Sequence, residues 1–367
     1  MVDVAAIYFP SWHPDPRQEA RYGMGWSEWE LVKSARPRFP GHRQPLRPSW
    51  GHADESDPDV MARSVAVAAD HGIDAFLWDW YWYDEQDFLN RPLDEAYLGL
   101  ADHRTKFALM WANHDWRDVF PARVGRPLEF IWPAAVDARQ FREMTAVVIE
   151  RYLTHPAYWR VNGAAWFTIF QLQTLMDGLG GEAACARALE DFRERARAAG
   201  AGELHLNAMG GRWDGPNPTR PTVLGIDSVG PYNWSHLMPR DQGLAVPYGP
   251  WREAAQAEWR VQDAATPVTY VPNVTMGWDS TARVHQDDPL EIGEWPMLPV
   301  VVDNTPEQFE RAVVEAVRFL EARDDLPVLT VNAWNEWTEG SCLEPEELHG
   351  MAYLQALARG LGIEASG

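Results

Sequence analysis

Two carboxylates, Glu336 and Glu339, stand on either side of Trp337, with Trp334 just before them, in the segment WNEWTEG, Trp334 to Gly340. Carboxylates are costly to hold among large apolar rings unless they are paired or hydrogen-bonded. Two crowded together have pKa values pushed apart, which makes an acid and a base from one residue type. Tryptophan adds an apolar face for the C–H side of a sugar and one N–H for its hydroxyls. The segment therefore points to carbohydrate chemistry. On a helical turn, side chains three apart lie about 5–6 Å apart at Cβ, close to the roughly 5–5.5 Å between the carboxyl groups of a retaining glycosidase. The same residues also read as a helix start, with Thr338 as the cap and the acids favouring the dipole.

The elements that must position this pair alternate along the chain. Strand-like apolar runs occur at Val4–Tyr8, Ala75–Trp78, Phe107–Trp111, Ala165–Phe170, Leu204–Ala208, Asp227–Val229, Val268–Val274 and Val328–Ala333. Helical patterns lie between them at Asp59–His71, Leu93–His103, Ala138–Leu153, Glu182–Ala199 and Pro306–Ala322, with a last one at His349–Leu361. Such alternation predicts a parallel sheet with crossover helices. Eight units in 367 residues fit an α/β fold of the (β/α)8 TIM-barrel type, one domain over 1–367 with long strand-to-helix loops. A doubly wound open sheet is the alternative, weakened by the lack of G-x-G-x-x-G after the first strand. Ser11–Asp57 and Asn233–Thr266 lack regular periodicity and read as long loops that are functional or carry short elements of their own.

In a barrel the chemistry sits where strands end. The strand ends carry His13; Asp79, Trp80 and Trp82; Trp111, Asn113 and His114; Tyr232; Trp278, Asp279 and Arg283; and Asn335, Glu336, Trp337 and Glu339. These are the candidate sugar-contacting residues around the Glu336/Glu339 pair. The chain has 20 tryptophans, too many of so bulky a residue for all to be core; about half are expected to serve packing alone.

A formal charge of −22, from 54 acids against 32 bases, argues against nucleic acid or an anionic membrane as partner. No apolar run is long enough to span a membrane, and the N-terminal residues lack the basic and apolar regions of a secretion signal, so the expectation is a cytoplasmic protein with an oligosaccharide or polysaccharide substrate. Cys185 and Cys342 are too few for a disulfide framework. His13, His42, His52 and His114 show no tight ligand spacing, so no metal is expected, and no motif asks for a cofactor. Asp57-Pro58-Asp59 reads as an N-cap followed by a first-turn proline. No G-x-S-x-G elbow supports a serine nucleophile.

The motifs YFPSWHPD, GMGWSEWELVKSARPRFPGHRQPLRP, HGIDAFLWDWYWYD, MWANHDW, HPAYWRVNGAAWFTIF, MGWDSTAR and NAWNEWTEGSCLEP run the whole length of the chain. With them the sequence resembles the WbsX proteins, a group similar to glycoside hydrolase family 99. The W-S-E-W element adds Trp26, Glu28 and Trp29 to the candidate contacts. The resemblance implies a (β/α)8 barrel and retaining cleavage of α-linked, mannose-like glycans. It gives Glu336 the role of base and Glu339 that of acid/base. The base then deprotonates the sugar's own 2-hydroxyl, which attacks the anomeric carbon to form a 1,2-anhydro sugar. In the commoner scheme a carboxylate attacks instead; the sequence is compatible with both. WbsX proteins usually carry a glutamate after W-A-N, where this chain has His114, and are also described as glycosyltransferases. A non-catalytic carbohydrate-binding barrel is a third reading.

Overall fold

Eight parallel strands close into a ring: β1 (Asp3–Tyr8), β2 (Ala75–Tyr83), β3 (Lys106–Trp111), β4 (Ala164–Ile169), β5 (Leu204–Ala208), β6 (Ser228–Val229), β7 in two segments (Thr269–Tyr270 and Asn273–Thr275) and β8 (Val328–Asn332). The computed structural model describes residues 2–363 apart from 211–214, 216 and 218. The strands are nearly continuous apolar runs because helices cover their outer faces.

Closure happens within β7. Thr269 and Tyr270 pair with Ser228 and Val229 of β6; Asn273, Val274 and Thr275 pair with Thr330, Val331 and Asn332 of β8. Pro272 sits at the change of partner. It has no N–H to offer a ladder, but its carbonyl accepts from Thr330 N at 3.1 Å. The weak run at 227–229 is a true strand, short because only two of its residues pair on each side.

The outer helices follow the predicted pattern in most places. Helix α1 (Pro58–Asp70) is capped by Asp57, which accepts from Asp59 N, with Pro58 in the first turn. Helix α2 (Ala138–Val148) starts on a capping box of Asp137 and Gln140. Helices α3 (Glu182–Ala198), α5 (Pro306–Glu321) and α6 (Ala352–Gly360) lie within the expected spans. Two expectations are corrected. The pattern at Leu93–His103 forms only one wide turn, Pro92–Tyr97. The supposed loop Asn233–Thr266 holds α4 (Tyr248–Ala265). Its inward face carries Tyr248, Trp251, Ala255, Glu258, Trp259 and Gln262. A buried Glu and Gln on that face broke the apolar stripe that marks a helix.

Polar side chains occupy part of the barrel interior. Thr168 donates to Asn207, Asn207 to Ser228, and Asn273 to Thr330, at 2.9–3.2 Å. Each satisfies another across neighbouring strands, as buried polar groups require. Among the described residues no helix is long and apolar enough to cross a membrane.

Candidate active site

The segment after β8 is not a helix start. Asn335–Glu336 pairs antiparallel with Ser341–Cys342, and a 3-10 turn, Trp337–Glu339, joins them. Thr338 does not cap; its hydroxyl donates to Glu28 Oε2 at 2.8 Å. Gly340 closes the turn at φ +66°, and a Cβ there would lie 2.7 Å from Asp279 Cβ. Gly340→Ala is therefore expected to cost about 1–3 kcal/mol for the left-handed backbone alone, more with the clash, measured as a lower urea midpoint.

One guanidinium organises the acids. Arg283, buried at 4% exposure, reaches Glu28 Oε2 at 3.1 Å, Glu336 Oε1 at 3.1 Å and Glu339 Oε1 at 3.6 Å. Phe9, Phe120 and Trp295 surround it, with ring centroids 5.4–5.7 Å from its central carbon. Trp295 Nε1 also donates to Glu339 Oε1 at 2.7 Å. Burial holds both Glu336 and Glu339 above the ordinary carboxylate range; the charge of Glu339 pushes Glu336 further up, and Arg283 opposes the shift in each. The Tyr232 hydroxyl lies 3.0 Å from Glu336 Oε2 and 2.9 Å from Asp79 Oδ2. Burial first, and then the charge of Glu339, raise Asp79 well above its ordinary value despite the Tyr232 contact.

These groups form the floor of a cleft of about 680 Å³. One side carries Phe9, Trp278, Trp295 and Arg283; the other carries His114, Asp115, Trp116 and Arg117 after β3, Phe170 and Gln171 after β4, and Asn233, Ser235 and His236 after β6. Buried carboxyls that differ in their partners, a fixed cation and aromatic walls can bind a sugar ring and move protons to and from it.

A family model described as Glycosyltransferase WbsX matches residues 4–357. The chain belongs to the WbsX family. Two uncharacterized WxcX proteins of Xanthomonas campestris pv. campestris, from strains B100 and ATCC 33913, are 28% identical over 370 residues, covering 98% of this chain and 49% of theirs. The chain thus spans about half the length of the curated relatives it matches. Among solved structures, a GH99 endo-alpha-mannosidase from Bacteroides thetaiotaomicron in complex with bis-tris-propane superposes with a TM-score of 0.63 at 14% identity, over 99% of this chain and 98% of that one. A β-glucosidase from Thermotoga maritima gives 0.50 at 11% identity, with coverage of 99% and 98%. At these identities the likeness is one of fold, the (β/α)8 barrel.

In this WbsX chain the cleft gathers Asp79, His114, Tyr232, Trp278, Arg283, Glu336 and Glu339. Other candidates lie behind its wall. On β2 the side chains alternate: Asp79 and Tyr81 face the cleft, while Trp80 and Trp82 stack on each other and Trp80 packs on Tyr152. Trp111 packs on Phe141 under α2. Asn113 ties two loops, donating to Gln171 O at 2.8 Å and accepting from Gln171 N at 2.7 Å. His13 is buried away from the cleft, its pKa lowered to about 4 by burial first and the charge of Arg91 next. Trp26 backs Phe120, and Trp29 packs between Trp12 and Trp337. Glu28 acts on Arg283 and Thr338 from below. Asp279 accepts from His42, Gln44 and Thr281, and its N–H donates to Glu339 O at 2.7 Å.

Asn335 and Trp337 anchor the turn that carries Glu336 and Glu339 rather than line the cleft. The Asn335 amide exchanges two hydrogen bonds with the backbone of Phe9 and donates to Glu55 at 2.8 Å; Trp337 Nε1 donates to Glu344 at 2.8 Å. Burial pushes Glu344 up to about 7, against the Trp337 hydrogen bond. A carboxyl raised in the folded state contributes stability below its unfolded value near 4.5 that is lost as pH rises through about 7. Glu344→Gln should remove that loss, so the variant gains on the wild type in urea unfolding at pH 8 relative to pH 5. Tyr81 and Trp116, also at strand ends, line the cleft as well, and cleft residues outside the predicted set include Phe120, Phe170, His236 and Trp295. Trp295 stands in a long loop with no strand end or motif to single it out.

Proposed function

We propose that this chain is a retaining glycoside hydrolase acting on α-linked, mannose-like glycans. The observation that carries the reading is the buried Glu336/Glu339 pair with Arg283 between them on the floor of an aromatic-walled cleft. The charge of Glu339 pushes Glu336 up, but that push vanishes once Glu339 carries the proton. Glu336 then keeps the closer ion pair with Arg283 and accepts from Tyr232, which favours its ionised form and the role of base. Glu339 lies farther from the guanidinium and takes the role of acid. In the first step Glu336 removes the proton of the sugar's 2-hydroxyl as O2 bonds to the anomeric carbon. The glycosidic bond breaks and Glu339 protonates the departing oxygen. In the second step Glu339 takes a proton from water, water opens the 1,2-anhydro ring, and Glu336 returns its proton to O2. Configuration is retained.

The test is digestion of α-mannose-containing oligosaccharides, followed by NMR of the first-formed anomer. An α-product supports the reading; an inverted product overturns it. A 2-deoxy substrate separates the two retaining routes, since it has no hydroxyl to attack and is cut only if Glu336 itself is the nucleophile. The description of the family as a glycosyltransferase favours a second reading, transfer from a nucleotide sugar. A thermal shift with nucleoside diphosphates would support that reading, and its absence counts against it.

A further inference from the structure

We propose that Asp79 is held as a neutral carboxylic acid that donates to the Tyr232 oxygen, so that the one phenolic proton of Tyr232 is always directed at Glu336. The hydroxyl stands within hydrogen-bond distance of two carboxyl oxygens, 2.9 Å from Asp79 Oδ2 and 3.0 Å from Glu336 Oε2. A tyrosine O–H has a single proton. Both contacts are hydrogen bonds only if one of the carboxyls carries a proton as well.

Geometry decides which one. Arg283 Nη2 lies on Glu336 at 3.1 Å, whereas among the described residues no cation pairs with Asp79. Asp79 Oδ1 is buried and has no hydrogen-bond partner, a state that costs an ionised carboxylate far more than a neutral acid. The groups facing the triad are Tyr81 from β2, Glu28 from the loop after β1, Arg283 from the loop after β7 and Glu339 from the turn after β8. They bring one positive charge against Glu28 and Glu336 and leave none for Asp79. Burial raises both carboxyls, but only at Glu336 does a cation, Arg283, oppose the rise.

The consequence concerns proton traffic. Asp79 keeps its proton, does not compete as a second base, and fixes the orientation of Tyr232 toward Glu336. It is a positioning residue. The inference rests on the hydrolase reading only in naming Glu336 the base; the protonation pattern itself needs no substrate.

Infrared difference spectra of the substrate-free protein at pH 7 test it. Asp79→Asn should remove a carboxylic-acid C=O band present in the wild type, and Tyr232→Phe should move that band to higher frequency by removing its hydrogen-bond acceptor. Loss of carboxylate bands instead, or a band unmoved in Tyr232→Phe, overturns the proposal, and either variant suffices if the other fails to fold. On a cleavable glycan, Asp79→Leu, which has no donor, should lower kcat about 10- to 100-fold more than Asp79→Asn; equal losses overturn the donor role. A protein that shows the acid band yet cuts no glycan would sink the hydrolase reading and leave this one standing.

Discussion

Glu339→Gln is expected to lower cleavage of an unactivated glycan by about 10²–10⁴-fold, the usual worth of a positioned general acid–base. The amide keeps the shape and can still accept from Trp295 Nε1, which holds Glu339 Oε1 at 2.7 Å. What it loses is the proton for the departing oxygen. A nitrophenyl glycoside, whose leaving group departs without protonation, should therefore recover much of the rate of the first step. If Glu339 also activates water, as proposed, slow breakdown of the anhydro intermediate would follow. Unchanged turnover of the natural glycan would remove Glu339 from the role of acid. Equal losses on both substrates would instead point to a disturbed turn.

Arg283→Gln carries the second large expectation. Arg283 is the cation common to Glu28, Glu336 and Glu339, and all three are buried. Removing one partner of a buried ion pair costs about 3–5 kcal/mol because the remaining charge is left uncompensated. Protonation relieves part of that cost. Glu336 and Glu339 already sit above their ordinary value of 4.5, and Arg283 is the group that opposes the rise. Without it the folded pKa values move higher, while the unfolded values do not change. Acids raised in the folded state give up stability as pH climbs from about 4.5 through the raised values. Urea unfolding should thus show the variant closest to the wild type at pH 4–5 and falling behind as pH increases. A gap independent of pH would mean that Arg283 holds the site by packing on Phe9, Phe120 and Trp295 rather than by charge.

The barrel was legible because its strands are apolar runs with turn and cap signals between them, and even the two-residue β6 left a trace at 227–229. Helix α4 was not, because Glu258 and Gln262 face inward and mask the helical period. For the site, strand ends pointed to Asp79, Tyr232, Arg283, Glu336 and Glu339. The tryptophans of β2 misdirected the reading: in a strand only alternate side chains share a face, so taking Asp79 as a cleft residue excludes Trp80 and Trp82. Trp295 acts through a contact made across the folded chain, with Glu339, and nothing near it in sequence announces a partner. Glu55 under the turn has the same character, since its partner Asn335 lies at the other end of the chain.

The joint between Asp279 and the turn at Gly340 has a wider consequence. Asp279 binds the loop after β1 through His42 and Gln44 and the turn after β8 through its own N–H. Glu28 adds a further tie by meeting both Arg283 and Thr338. Three loops are thereby locked into one rigid unit that carries Arg283, Glu336 and Glu339. The opposite rim is tied in as well: in the loop after β3, Ala122 exchanges backbone hydrogen bonds with Arg283 and His285 at 2.8 Å and Phe120 packs on the Arg283 guanidinium, and Tyr232 after β6 meets Glu336. A change in either rim is thus expected to reach the Glu336/Glu339 pair through Arg283 or Tyr232 without touching either acid.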